Sequence, residues 1–332
     1  MSQFFLGLQK VLPQHGLSRL VGWLAGSQIS LIRRTFIHSF ARAYDISLAD
    51  AERKHLDDYH SFNDFFTRSL AAGARPMPEL PNRLACPVDG TVSQMGSIQH
   101  DLLMQAKGHQ YTLNSLAGET GRGLNHGDFC TIYLAPSNYH RIHLPCDAKL
   151  VETRAIPGAL FSVNGVTEAG IPGLFCRNER LACRFETDFG PMLLVLVGAL
   201  IVASIETVWS GPPSPYREDI VNKHDQDFRQ GEEIGRFLLG STVICCFAKD
   251  AVALTERFAE GATVTLDGTG SSDVESDTIT YAWTVSSGTA QTISNANTAA
   301  PTFTASDQTD GYTSTLQLVC TSNGQDGSAD TV

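Results

Sequence analysis

The sequence predicts an α+β protein. N-terminal helices come first, then a β-rich core, then a small β-sandwich whose last strand is short or missing. Three observations carry this. Apolar residues in the first 80 positions recur at helical spacing between polar and proline breaks. From Cys86 the apolar segments become short and β-branched, with Gly/Pro-rich turns between them. Past Phe258 the chain turns to Thr, Ser, Gly, Asp and Ala. No helix long enough to serve a series of βαβ crossovers is evident, so a doubly wound sheet is excluded.

Taken in order, residues 1–48 carry five basic residues (Lys10, Arg19, Arg33, Arg34, Arg42) and one acidic residue, Asp45. Between them lie Phe4, Phe5, Leu6, Leu8, Val11, Leu12, Leu20, Val21, Trp23, Leu24, Ile29, Leu31, Ile32, Phe36 and Ile37. Helices with a broad apolar face and basic margins suit the surface of an anionic membrane, with Trp23 at interfacial depth. The alternative is a helical bundle packed on the rest of the chain. Ser47 is positioned to cap a helix from Leu48, and Ser61 to cap another from Phe62. Arg75-Pro76-Met77-Pro78 and Pro81 then break helical structure.

Cys86-Pro87-Val88-Asp89-Gly90-Thr91-Val92 reads as a turn followed by a short strand. Residues 129–135 form a clearer strand. Further strands are expected at 148–156, 181–186, 192–208 and 242–248. Beyond Phe258, strands are expected at 263–266, 279–285, 302–304 and 313–320. Trp283 in a central strand between acidic turns resembles a polycystic-kidney-disease-type immunoglobulin-like module. The predicted domains are therefore 1–48, membrane-associating helices; 49–258, an enzyme core; and 259–332, an acidic β-sandwich-like extension.

The net charge of −11 over 332 residues is unevenly placed. Residues 259–332 hold nine acidic residues and no Lys or Arg, which leaves the first 258 near neutral. There is no basic footprint for nucleic acid. Eight cysteines without CxxC spacing read as free, mostly buried thiols of a reducing compartment. The opening lacks the features of a cleavable signal peptide. The longest apolar run, Met192 to Ile205, is too short to span a bilayer as a helix, and its Val/Leu/Ile content favours buried strand.

The chemistry centres on Gly235 to Phe247, GRFLLGSTVICCF. A Gly-Ser pair inside an apolar run gives up strand propensity and packing. One reading is a bulge or bend. The other uses the unhindered carbonyl of Gly240 and the adjacent hydroxyl of Ser241 for an N-to-O acyl shift, in which a chain cuts itself. His140 and His143 converge if they lie in a turn and diverge in a strand. Even with His126 they make no recognisable metal set, so no metal is expected.

Three pieces together resemble the phosphatidylserine decarboxylase family. They are Pro87-Val88-Asp89-Gly90, Tyr139-His140-Arg141-Ile142-His143-Leu144-Pro145, and Gly235-Arg236-Phe237 leading to Leu239-Gly240-Ser241-Thr242. FFTRSLAAGARP at 65–76, LFSVN at 160–164, RNER at 177–180 and the N-terminal LPQHGLSRLVGWLA are similar to it too. The resemblance covers about residues 1–258.

It implies a proenzyme cut between Gly240 and Ser241. Asp89 would orient His143, His143 would take the proton of Ser241, and Ser241 would become a pyruvoyl group, the covalent self-derived cofactor. That ketone would form a Schiff base with phosphatidylserine and act as electron sink for loss of CO2, giving phosphatidylethanolamine. His140 would return a proton to the α-carbon. The expected setting is the cytoplasmic face of the cell membrane, held peripherally, with a homodimer as the assembly. Two other readings stay open on the residues alone: an extracellular-type β-sandwich binding module fused to an inactive core, or a related enzyme acting on a soluble amino acid. The basic amphipathic N-terminus favours lipid.

Overall fold

The computed structural model describes residues 14–75, 83–105, 108–199, 205–211, 216–238 and 241–252, together with the strands within 263–331. The described chain divides into two compact units, 1–253 and 254–332.

The first unit opens with helices α1 (Gln14–Ala25) and α2 (Ser30–Ala43), followed by the short α3 (Phe62–Phe66). Helix α2 buries Ile37 and Ala41. The expected helix at Leu48 is not formed. Ser47 Oγ instead accepts the Ala49 N–H at 3.1 Å, which closes a turn rather than a helix. The second expected cap is formed: Ser61 Oγ accepts the Asp64 N–H at 3.1 Å. Asp64 is held in turn by a bidentate bond from Arg53 at 2.5 and 2.7 Å. Helix α3 is only five residues long, so its stability comes from packing. Phe62, Phe65 and Phe66 are all buried, and Phe36 and Phe40 of α2 meet Phe62 at 4.4 and 4.9 Å between ring centroids.

The strands of this unit are β1 (Thr91–Ser97), β2 (Leu102–Met104), β3 (Gln110–Thr112), β4 (Asp128–Leu134), β5 (Arg141–His143), β6 (Ala148–Ile156), β7 (Arg180–Thr187), β8 (Gly190–Val197), β9 (Ile205–Thr207), β10 (Ile220–Phe228), β11 (Glu233–Phe237) and β12 (Ser241–Phe247). Short helices α4 (Leu113–Ala117), α5 (Gly165–Gly170) and α6 (Leu174–Arg177) lie between them. Seven strands make one antiparallel sheet in the order β1-β4-β12-β8-β7-β6-β10, and three make a second in the order β5-β11-β9.

The centre of the large sheet is apolar on both faces. Leu193, Val195 and Val197 of β8 join a core with Ile37, Phe62 and Phe66. Met192, Leu194 and Leu196 join another with Ile142, Phe237 and Ile205 of the small sheet. This explains the long apolar run: it is a strand covered on both sides, and the chain leaves the sheet at Gly198. Burying such side chains contributes roughly 1.5–3 kcal/mol each. Among the described residues, no helix is long and apolar enough to cross a membrane.

Seven cysteines are free, with Cys146, Cys183, Cys245 and Cys246 buried. Cys320 lies outside the residues whose side chains are described.

The second unit contains β13 (Thr263–Thr265), β14 (Ile279–Gly288), β15 (Ile293–Ser294), β16 (Thr302–Thr304), β17 (Ser314–Ser322), β18 (Gln325–Asp326) and β19 (Asp330–Thr331). They form two antiparallel sheets, β13-β16-β15 and β14-β17-β18, with β19 also on β17. This is the small β-sandwich, and Trp283 sits on its longest strand pair, opposite Leu318.

Candidate active site

Two chain crossings meet at one end of the sheets. The chain leaves β4 at Leu134 and enters β5 through Tyr139 and His140. It also leaves β11 at Phe237 and enters β12 at Ser241. The two are joined by backbone: Ser241 pairs with Leu134, and the Phe237 N–H donates to the His140 carbonyl at 2.9 Å. The histidine motif and the start of β12 are thus brought together, as the resemblance implies. Leu239, Gly240 and the side chain of Ser241 lie outside the described residues.

His140 is fully buried. Its Nδ1 is 2.8 Å from the Asn138 carbonyl, an acceptor only, so Nδ1 carries the proton. Its Nε2 is a lone pair with no hydrogen-bond partner among the described residues. The ring packs on Phe66 with centroids 4.0 Å apart. Burial lowers its pKa to about 3, and the nearby Arg68 guanidinium adds to this, so the ring is neutral. Arg68 is itself buried. Its Nη2 donates to the Ser137 carbonyl at 2.8 Å, which braces the turn that carries His140.

His143 has both ring nitrogens engaged. Nδ1 donates to the Gly231 carbonyl at 2.7 Å, which leaves Nε2 to accept the Tyr139 hydroxyl at 2.8 Å. Burial pushes the Tyr139 hydroxyl up to about 12, so it stays protonated and donates.

Asp89 approaches through backbone rather than side chain. The His143 N–H donates to the Pro87 carbonyl at 2.8 Å, two residues before Asp89. Gly90 permits this, because a Cβ there would lie 2.4 Å from the Tyr133 carbonyl oxygen on β4. The carboxylate itself is held by Arg75, with contacts of 2.6, 3.0 and 3.1 Å. Arg75 also donates to Asp50 at 2.9 Å. The hydrogen bond from the His143 ring to the Asp89 carboxylate that the resemblance implies is not formed here; Arg75 takes the carboxylate and Tyr139 and Gly231 take the ring.

Sequence reasoning missed Arg75, Tyr139 and Arg68 as parts of the site. All three lie within the quoted motifs. Arg75 stands in the sequence only as part of a helix break, and Arg68 and Tyr139 only as members of the quoted motifs. No group of three or more ligating side chains suitable for a metal occurs among the described residues.

A model described as phosphatidylserine decarboxylase matches residues 62–266, and one described as PSD matches 4–45. The chain belongs to the phosphatidylserine decarboxylase family. A phosphatidylserine decarboxylase proenzyme of Psychrobacter arcticus is 49% identical over 251 residues, covering 74% of this chain and 90% of the relative. Those of Dickeya dadantii and Alcanivorax borkumensis are 46% and 45% identical, covering 76% and 80% of this chain and 87% and 94% of theirs. The decarboxylase match overlaps a PKD domain match to residues 258–332. Residues 258–266 are therefore claimed by both, so the decarboxylase resemblance runs into the first strand of the second unit, β13.

Proposed function

We propose that Ser241 is the residue converted to the pyruvoyl group, with cleavage between Gly240 and Ser241, and that Asp89, His143 and His140 serve its formation and use. The chain is a decarboxylase that converts phosphatidylserine to phosphatidylethanolamine and CO2 with a self-derived pyruvoyl cofactor. That group supplies a ketone that binds the substrate amine and accepts the electrons released as CO2 leaves. The observation that carries the assignment is the placement of His140. Its carbonyl holds Phe237, four residues before Ser241, and its buried Nε2 has no partner among the described residues. A buried acceptor left open at the strand end suits a reacting proton there.

The protein side of the chemistry follows from these atoms. His143 must take the proton of the Ser241 hydroxyl at Nε2, so the Tyr139 hydroxyl has to yield that position. Asp89 must release Arg75 to orient the ring directly; while Arg75 holds it, Gly231 fixes the ring through Nδ1. His140 is neutral at rest, and the substrate carboxylate beside it would favour the protonated form, from which Nε2 would hand a proton to the α-carbon. The aromatic packing of Phe66 on His140 excludes water from that lone pair.

The protein associates peripherally with the membrane that holds its substrate. Trp23, Ile29 and Leu31, around the turn between α1 and α2, are 66%, 59% and 77% exposed. Exposed large apolar side chains beside Arg33 and Arg34 support 1–48 as the membrane-associating segment, on the cytoplasmic face, ahead of a catalytic segment 49–258 and an acidic extension 259–332. They also favour a lipid substrate over a soluble amino acid. A homodimer is the assembly proposed, to be tested by light scattering.

The test is denaturing mass analysis of wild type and Ser241→Ala. Wild type should give two fragments divided at 240/241, the second blocked as a ketone. Ser241→Ala should give one inactive chain. An intact wild-type chain of 35.9 kDa would overturn the assignment.

A further inference from the structure

We infer that Arg68 is the residue that recognises the substrate carboxylate, taking one of its oxygens on Nη1 beside His140. This rests on the role given to His140 at the substrate α-carbon above and adds the group that selects a serine headgroup.

One turn of chain gathers the site. Arg68 follows α3, and its Nη2 donates to the Ser137 carbonyl at 2.8 Å and, more weakly, to the Asn138 carbonyl at 3.4 Å. His140 Nδ1 donates to the same Asn138 carbonyl at 2.8 Å. The guanidinium and the imidazole therefore converge on one oxygen. Phe66 packs on the His140 ring, and the Arg68 guanidinium lies over Phe65, 5.8 Å from its ring centroid. Each of the two polar groups spends one nitrogen on this turn. Each keeps another, Arg68 Nη1 and His140 Nε2, buried with no hydrogen-bond partner among the described residues.

Such a guanidinium is costly. Arg68 is 5% exposed, and burial disfavours its charge. Among the described residues no carboxylate pairs with it. Asp89, the carboxylate that acts on it most strongly, is held by Arg75 at 2.6 Å. Bracing Ser137 needs only a neutral donor, so that bond does not account for the charge. An anion that binds at Nη1 relieves both the unpaired cation and the unmade hydrogen bond.

Phosphatidylserine carries two anionic groups, and their positions differ. The carboxylate is one bond from the α-carbon that His140 protonates, and the phosphate is three bonds away. The phosphate also bears the diacylglycerol, which stays with the bilayer and keeps the phosphate away from a nitrogen buried among Phe65, Phe66 and His140. The carboxylate is the group that reaches Nη1. It is also the group that the reaction removes. Loss of CO2 leaves Arg68 without its anion, so phosphatidylethanolamine is held less tightly than the substrate. A headgroup without a carboxylate leaves the buried cation unpaired, which sets the selectivity.

The test compares two lipids that lack the amine and so cannot react. One is phosphatidic acid esterified with β-hydroxypropanoate, which keeps the carboxylate; the other is esterified with propanol, which has none. Binding of each to the processed full-chain enzyme is measured by titration calorimetry in the same nonionic detergent micelles. Wild type should bind the carboxylate lipid at least about tenfold more tightly, the effect of one charge-assisted hydrogen bond shielded from water. Arg68→Gln should bind the two alike. A disturbed fold weakens both lipids together, so only the ratio reports on the carboxylate. Equal binding by wild type would overturn the inference, and that comparison needs no variant. A wild-type ratio retained in Arg68→Gln would overturn it too, and is the outcome if Arg68 holds the phosphate. A wild-type chain left uncut, or normal turnover by His140→Ala, would instead overturn the underlying assignment, so the two failures are distinguishable.

Discussion

The Tyr139 hydroxyl donates to His143 Nε2 at 2.8 Å and so occupies the lone pair that the proposed deprotonation of Ser241 would use. On that proposal Tyr139 gates the cleavage base. Tyr139→Phe removes the competing donor and leaves the Nδ1 bond to Gly231 in place. The expected result is self-cleavage at or above the wild-type rate, followed by gel or mass analysis over time. Slower cleavage would mean that the hydroxyl is part of the proton path itself.

His140 should show its burial in the pH dependence of stability. Its folded pKa lies near 3 against an ordinary 6.5. Between these values the unfolded chain binds a proton that the folded chain does not, so stability falls as pH drops through this range. His140→Gln removes that proton. Urea midpoints of Ser241→Ala, with and without His140→Gln, should diverge between pH 7 and 4, the His140 form losing more. Parallel curves would contradict the buried neutral ring.

For Glu179 the sign is reversed. Its folded pKa of about 7 lies above the ordinary 4.5, so the folded chain binds the extra proton. The stability contributed by that proton is full below 4.5 and lost as pH rises through 7. Glu179→Gln should therefore be more stable than its parent above pH 7 and similar to it below pH 4.5. A thermal melt at three pH values checks this, and a variant destabilised at high pH would refute it.

His140→Ala separates the two chemistries. The chain should still divide at 240/241, because His143 is the base proposed for that step. Turnover of phosphatidylserine should fall by about 100-fold or more. Failure to divide, with normal division of His143→Ala, would exchange the roles of the two histidines.

The exposed apolar turn gives a fifth measurement. Replacing Trp23 and Leu31 with serine should weaken binding to anionic vesicles by at least about tenfold, since each side chain contributes roughly 1.5–3 kcal/mol when buried. Unchanged sedimentation with vesicles would place the membrane contact elsewhere.

Much of this was legible in the residues. Strands β8 and β12 announce themselves because their buried residues are nearly all apolar, with Val195, Val197, Val243 and Ile244 β-branched. Strand β10 does not. It is an edge strand with polar residues on both faces, held to β6 by pairs such as Lys149–Asp225 and Lys223–Glu152. Nothing in its hydrophobic pattern marks a strand. The turn at Ser47 was misread as a helix start, because the same hydroxyl that caps a helix also closes a turn.

The site divides the same way. Its motifs were visible, and so was their convergence. The partners were not, because Arg75 reaches Asp89 across 14 residues and Gly231 reaches His143 across 88.

Strand β12 lies between β4 and β8, paired with both along nearly its whole length. The proposed scission just before it would therefore cut the chain without freeing either part. The second fragment begins as an interior strand of a sheet whose other members all belong to the first. Its removal would break two ladders at once and open both apolar cores. The two products are thus locked together by hydrogen bonds and packing. The acidic second unit, covalently continuous with β12, stays attached to a catalytic domain with which it no longer shares an unbroken chain.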